Sequence, residues 1–431
     1  MARDRAGRGR FVRGWAVIAG VCALMAIASG LGFYNASVYL EAIVAERGIP
    51  IGVVSWASAT FFVLFGLAGL PISRWVAERD PRPVMLGGAV LGGLALLGLG
   101  AATQVWQLFA VFATLGVAFS AISFVPGTLL VNRWFVRRRT LALALATTGL
   151  SIGGIAITPA SAAAIERTDL AQVSPWLALT WTLGVVLVVA VAIRPWPEAY
   201  GLTPDGDPAP EEPPGPIQGL TPGAVYRTHT FRWLTVGVTL LMLSQVGALA
   251  HLYGIGVERE DASIAATAVS TVAFSSVVGR MLGIWILQHL EALWFTVCLA
   301  ALQVVSMSLL AIDGGAPALL LATSIFGLSV GNLLVVIPIV MVESFGMRPY
   351  ARIYAANQLV GALGVASGPI LFGMLRDATG TYSPGAASAA GVSLLACGLL
   401  VLTHRTRIRE GLPVADEPAT VPEEGPTSNW P

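Results

Sequence analysis

The chain has 431 residues, 55% of them hydrophobic and 11% charged, whereas soluble proteins carry about 25% charged residues. That balance excludes a soluble globular domain and points to a protein that crosses a membrane many times. The net charge of +1 decides little, but all 25 basic residues are arginine. There is no glycine-rich phosphate loop, metal-ligand spacing or nucleophile constellation. No enzyme, no cofactor and no nucleic-acid partner is therefore expected.

A hydrocarbon layer of ~30 Å is crossed by about 20 apolar residues in a helix. Twelve stretches qualify. The first six are 14–40, 51–72, 84–103, 106–131, 141–163 and 176–193; the second six are 231–255, 264–287, 293–312, 316–341, 352–374 and 385–403. The opening MARDRAGRGRFVRGW precedes an apolar run too long for a signal peptide, and eleven more spans follow. It reads as an uncleaved first helix. Cys22, Cys298 and Cys397 all lie within apolar runs and read as packing residues.

Residues 194–230 open with RPWPEAYGLTPDGDPAPEEPPGPIQ. Rich in Pro, Gly and acid, they cannot bury enough surface to fold alone and read as a linker. The expected domains are a six-helix bundle over 1–193, the linker over 194–230, a second six-helix bundle over 231–403 and a disordered tail over 404–431. The fold class is an all-α membrane protein, twelve helices in two pseudo-symmetric bundles. Parallel halves of six are the plan of a large class of secondary transporters.

Orientation follows from the arginines. With the N-terminus inside, 20 arginines fall in inside segments; Arg47, Arg167, Arg259 and Arg376 fall outside. This asymmetry predicts an integral protein of the cell (inner) membrane with both termini cytoplasmic.

The one remaining arginine, Arg280, lies within the otherwise uncharged stretch IAATAVSTVAFSSVVGRMLGIWIL. A charge there costs roughly 2.5–3.5 kcal/mol on insertion scales. It lies ~10 Å from the end of its helix at 1.5 Å per residue, too deep for easy snorkelling. A guanidinium offers a planar fork that matches a carboxylate. Arg280 is thus the leading candidate to bind an anion; the competing role is a structural bond to helix carbonyls. No Asp or Glu lies deep in another span to neutralise it.

Other candidates are polar residues in apolar surroundings. Asn357 and Gln358 lie at a similar depth behind Tyr354 and could shape the site, or Asn357 could bond a neighbouring helix. Asn332 and Asn35 are of the same kind, and Tyr34 could close the outer side of the cavity. His251 titrates near neutral pH and could pass a proton, or it could simply sit at the interface. Glu343 is expected to pair with Arg348 as a gate contact. Arg137, Arg138 and Arg139 mark the same gating face, where they set topology and contact lipid phosphates.

The stretch Arg133 to Gly154, RWFVRRRTLALALATTGLSIGG, resembles the fifth-span signature of the monocarboxylate transporter family within the major facilitator superfamily. Phe135, Arg137, Arg138, Arg139, Leu141, Ala142, Ala146, Gly149 and Gly153 match it. PWPEAYGLTPDG, RTHTFRWL, VVGRMLGIW and GPILFGMLRDATGTY resemble further segments of the bacterial branch, which includes oxalate:formate antiporters. The chain departs from the pattern at Ala77, Glu78, Asp80 and Gln288 in the two gate loops. Ser276 stands where an Asp accompanies the Arg in eukaryotic members. Asn357 stands at or near the Lys of the oxalate branch.

The resemblance implies a secondary transporter of small organic anions by alternating access, driven by proton symport or anion exchange. One arginine without a second cation favours a monocarboxylate over oxalate. Two alternatives share the scaffold: a facilitator for neutral or amphipathic compounds, and a membrane sensor that binds without flux.

Overall fold

The computed structural model describes residues 2–135, 138–194, 196–197, 220–346 and 348–412, excepting the side chains of 2–13, 139, 140, 334 and 351. Twelve helices in it are long and apolar enough to span a membrane. The first six are α1 Gly14–Arg47, α2 Ile51–Glu78, α3 Arg82–Ala101, α4 Val105–Trp134, α5 Leu141–Arg167 and α6 Leu170–Val191. The second six are α7 His229–Arg259, α8 Ala262–Ile286, α9 Ala292–Ala311, α10 Gly315–Phe345, α11 Tyr350–Thr379 and α12 Ser383–Arg409. Several run past the apolar stretches that define them. α12 continues through residues 404–409 and buries Arg407 completely, so this part of the expected tail is helix. Residues 413–431 lie outside the described residues.

The outer surface is that of a membrane protein. Leu67, Leu94, Leu183, Leu187, Phe274, Leu363 and Leu394 are each more than 45% exposed, a pattern that water would penalise and lipid does not. Exposed tryptophans gather at both ends of the bundle. Trp56, Trp106 and Trp176 lie near one end, Trp75, Trp285 and Trp294 near the other, as aromatic belts do at headgroup depth. The end at which α1 and α7 start and α6 and α12 finish is the linker face, and the opposite end the far face.

The two halves repeat a device at the far face. At the end of α1, Glu46 accepts from Leu170 N at the start of α6, and Arg47 donates to the Leu99 carbonyl at the end of α3. At the end of α7, Glu258 accepts from Tyr382 N at the start of α12, and Arg259 donates to the Leu310 carbonyl at the end of α9. Acid at a helix start and base at a helix end both complement the helix dipole. The four residues sit at the same offset in the two halves.

The core is asymmetric from end to end. One apolar cluster joins the first six helices to the far-face parts of all six helices of the second half, α7 to α12. A second, built from Val225, Phe231, Leu234, Leu293, Val336, Met341, Phe345 and their neighbours, belongs to the second half at the linker face. The halves therefore share a core at the far face and have separate ones at the linker face.

Candidate functional site

The site forms where α8 meets α5 and α1. The small residues of the fifth-span signature make this possible. A side chain on Gly149 would overlap the Cys22 carbonyl of α1, one on Gly153 the Ala26 carbonyl, and one on Gly154 the Tyr34 ring and Ala273 of α8. Both α1 and α5 contain a π-helical turn, Ser29–Phe33 and Gly153–Ile157, and the two turns touch. Ser29 donates to the Leu150 carbonyl at 2.7 Å and fixes that contact. Such turns recur at functional sites because they re-aim side chains within a helix.

Arg280 reaches across this junction. One terminal nitrogen donates to the Thr147 carbonyl at 2.8 Å, the other to the Ser151 hydroxyl at 2.9 Å. Ser151 lies 2.7 Å from the Ser276 hydroxyl, which donates to the Ala273 carbonyl at 2.8 Å. A single direction satisfies every donor: Arg280 to Ser151, Ser151 to Ser276, Ser276 to Ala273. Tyr34 of α1 lies against Ser276 and faces the guanidinium. The Arg280 Nε is buried without a hydrogen-bond partner. No carboxylate among the described residues pairs with Arg280. Its charge meets only a carbonyl, a hydroxyl and a phenol, so it retains the capacity to bind an anion.

The structure brings Tyr34 to Arg280 but disperses the other candidates. Asn35 is fully buried and satisfied, exchanging bonds with Ser161 at 2.7 and 2.9 Å and meeting Tyr39 at 3.0 Å. It ties α1 to α5 and is not a cavity residue. Asn332 is buried where glycines let α10 approach α8: a side chain on Gly279 or Gly283 would strike it. Its amide bonds the Leu328 carbonyl at 2.9 Å, a packing role. Tyr354 stacks on Tyr350 at 5.5 Å, and Gln358 is exposed. Asn357 is 1% exposed, yet neither amide atom has a partner. It has no bond to Arg280.

His251 is completely buried, not interfacial. Its Nε2 lies 3.0 Å from the Pro369 carbonyl and 3.2 Å from the Ser55 hydroxyl. Ser55 itself donates to the Ile51 carbonyl, so the imidazole N–H is shared between Pro369 and Ser55. The ring stacks on Phe372 at 5.7 Å. His251 thereby joins α7 to α11 and to α2 of the other half.

Glu343 does not pair with Arg348. It lies beside Arg407, which donates to its backbone carbonyl at 3.3 Å and forms an ion pair with Glu291. All three belong to the second half, so this knot braces α9, α10 and α12 and is not a gate between halves. Arg138 is exposed at the linker face; Arg137 and the Arg139 side chain lie outside the described residues. Sequence reasoning missed Thr147, Ser151 and the two π turns. Hydroxyls in apolar helices usually bond back to their own helix, as Thr148 does to Ala144, and nothing in the spacing marks the one that does not.

Residues 22–369 match the family profile described as Major Facilitator Superfamily. The chain belongs to the Major Facilitator Superfamily. Within it, the chain is 27% identical over 402 residues to monocarboxylate transporter 13 of Bos taurus, covering 90% of this chain and 88% of that one. It is 26% identical over 420 residues to monocarboxylate transporter 11 of Mus musculus, covering 93% and 88%. Among solved structures it resembles a bacterial homologue of the human lysosomal transporter Spinster, with a TM-score of 0.67 at 13% identity over 93% of this chain and 98% of that one. That likeness shows the superfamily's two-bundle fold and nothing finer. Membrane transport, not catalysis, is the work of this superfamily.

Proposed function

We propose that the protein is a secondary active transporter of small organic monoanions, most simply monocarboxylates, and that Arg280 receives the carboxylate. The observation that carries this reading is the uncompensated charge of Arg280 at the junction of the two halves, with its Nε unpartnered. A carboxylate would supply the counter-charge, and its two oxygens match the guanidinium fork. The Tyr34 and Ser151 hydroxyls are placed to bond the same group. A second carboxylate would find no second cation beside Arg280 among the described residues, which disfavours dicarboxylates. The relatives named monocarboxylate transporters point to the same substrate class.

Arginine asymmetry supports a cell-membrane protein whose linker face lies in the cytoplasm. On that orientation the shared core closes the outer end, and the separate cores leave the halves free to part at the inner end. Substrate binding would rebalance the Arg280 bonds that bridge the halves, the minimum needed for a ligand to shift a conformational equilibrium. The anion moves with a proton or in exchange for another anion.

Uptake of labelled mono- and dicarboxylates into proteoliposomes tests this, for the wild type and Arg280→Ala. The wild type is expected to take up monocarboxylates and the variant to lose uptake. Absence of organic-anion flux, or equal flux in the variant, overturns the reading. Stimulation by internal anion with indifference to a pH gradient selects exchange over symport.

A further inference from the structure

The far-face contact between the halves contains a carboxyl group for which the substrate site has no use. Three contacts clasp the halves there. The Asp377 carboxylate at the end of α11 accepts from Gly52 N at 2.7 Å and Ile51 N at 3.2 Å, the first turn of α2. His251 of α7 meets Ser55 of α2. The Tyr382 hydroxyl at the start of α12 reaches Glu41 of α1 at 3.5 Å. Glycines bring the chains together: a side chain on Gly373 would strike Ser55, and one on Gly254 would strike both Tyr382 and Glu41.

The charges in this clasp do not balance. Asp377 is met by the positive end of α2. Arg376 is committed to Glu258 at 2.9 Å, and Glu258 also accepts from Tyr382 N. Glu41 is left with one phenolic hydroxyl. The groups that face it are Tyr382 and Arg376 from the last two helices and Glu258 and Tyr253 from α7. Beyond Tyr253 lie Glu166 and Asp261, both acidic. One cation thus serves two carboxylates inside a closed contact between the halves. A half-buried carboxylate that must share its one cation with Glu258 is costly to ionise, and protonation removes the cost. When the halves part at the far face, Glu41 returns to water and ionises normally.

We propose that Glu41 is a proton-binding site of the far-face gate, and that closing this gate takes up one proton from the far side. Its role in flux rests on the transporter reading above, but the gating equilibrium does not depend on which substrate is carried. Acid on the far side favours the closed gate; alkali favours the open one.

The test reads the gate directly. Ser55→Cys is introduced into a background with Cys22, Cys298 and Cys397 replaced by alanine. Labelling by a membrane-impermeant thiol reagent from the far side is then followed against external pH, each rate divided by that of the same thiol in denatured protein at the same pH, because the reactive thiolate fraction itself rises with pH. With Glu41 present, labelling is expected to rise by at least about threefold between about pH 6 and about pH 8, since a one-proton step changes the open-to-closed ratio by up to about tenfold per pH unit. Glu41→Gln, which cannot ionise, is expected to stay at the low-pH level throughout. Glu41→Asp is expected to restore the pH response, and Asp377→Asn to raise labelling at every pH without abolishing the response. A response that survives in Glu41→Gln, or no response in the Ser55→Cys parent, overturns the proposal. Failure of anion uptake with this pattern intact would reject the substrate assignment alone.

Discussion

Arg280 of α8 and Ser151 of α5 are joined by a 2.9 Å hydrogen bond that crosses from one half of the molecule to the other. The proposed substrate receptor is therefore also a tie between the two bodies that must move. An anion that takes over the guanidinium competes with that tie. Binding and conformational change then share the same few bonds.

The first prediction concerns the shape of the charge. Hydrogen bonds to a charged group are worth about 1.5–3 kcal/mol each. Losing a two-pronged carboxylate contact should weaken substrate binding by roughly 100-fold or more. Arg280→Ala should lose both charge and fork. Arg280→Lys should keep the charge and still bind poorly, because an ammonium offers no planar pair of donors. Equilibrium binding of a labelled monocarboxylate to purified protein separates the two; full affinity in the lysine variant would show that charge alone suffices.

Gly153 should tolerate no side chain. It faces the Ala26 carbonyl, the Ser29 hydroxyl and Gly30 N, all on α1 in or just before its π turn. Gly153→Ala should cost about 1–3 kcal/mol through forced separation of the helices, seen as a lower melting temperature in detergent. Gly361 has nothing within 4 Å of its missing side chain, so Gly361→Ala should melt close to wild type. Equal effects at both positions would undo the argument from close approach.

Glu410 should confer a pH-dependent increment of stability. It accepts from His229 N at 2.7 Å and from the Thr230 hydroxyl at 2.7 Å, capping the start of α7. Partial burial pushes its carboxyl up, but the hydrogen bonds from Thr230 and His229 outweigh that and hold it below the usual carboxylate range. A depressed acid stabilises above its unfolded pKa and ceases to do so as pH falls through the folded value. A cap of this kind contributes about 1 kcal/mol, less where solvent screens it. The gap in melting temperature between wild type and Glu410→Gln should thus be present at neutral pH and close below about pH 4.

The twelve spans were legible because length and apolarity alone determine them, and Arg280 because a charge in such a stretch stands out. The surroundings of Arg280 were not. Helical spacing cannot tell that Ser151 points at another helix while Thr148 bonds its own. The π turns that re-aim both chains leave no periodic trace. Depth along a helix placed Asn357 level with Arg280, but depth does not fix the face. The paired Glu46-Arg47 and Glu258-Arg259 were readable in principle, since an acid-base pair ends the first span of each half. Of the two readings of His251, the interfacial one fails because the residue is fully buried, and the glycines that seal α2 against α11 around it act only in three dimensions.

The last prediction returns a counter-ion to Arg280. Ser276 is buried, bonded to Ser151, and one turn before Arg280 on the same helix. An aspartate there would place its carboxylate beside the guanidinium. Ionised, it would neutralise Arg280 and compete with the substrate; protonated, it would leave the arginine free. Ser276→Asp should therefore bind monocarboxylate well at acid pH and lose affinity as pH rises, with at least about a tenfold change across the titration of the new group. The wild type, with a serine that does not titrate, should show no such dependence from this position. Affinity measured against pH for the two proteins decides it. A Ser276→Asp variant that binds equally at all pH would mean that the carboxylate of the substrate does not occupy the Arg280 fork.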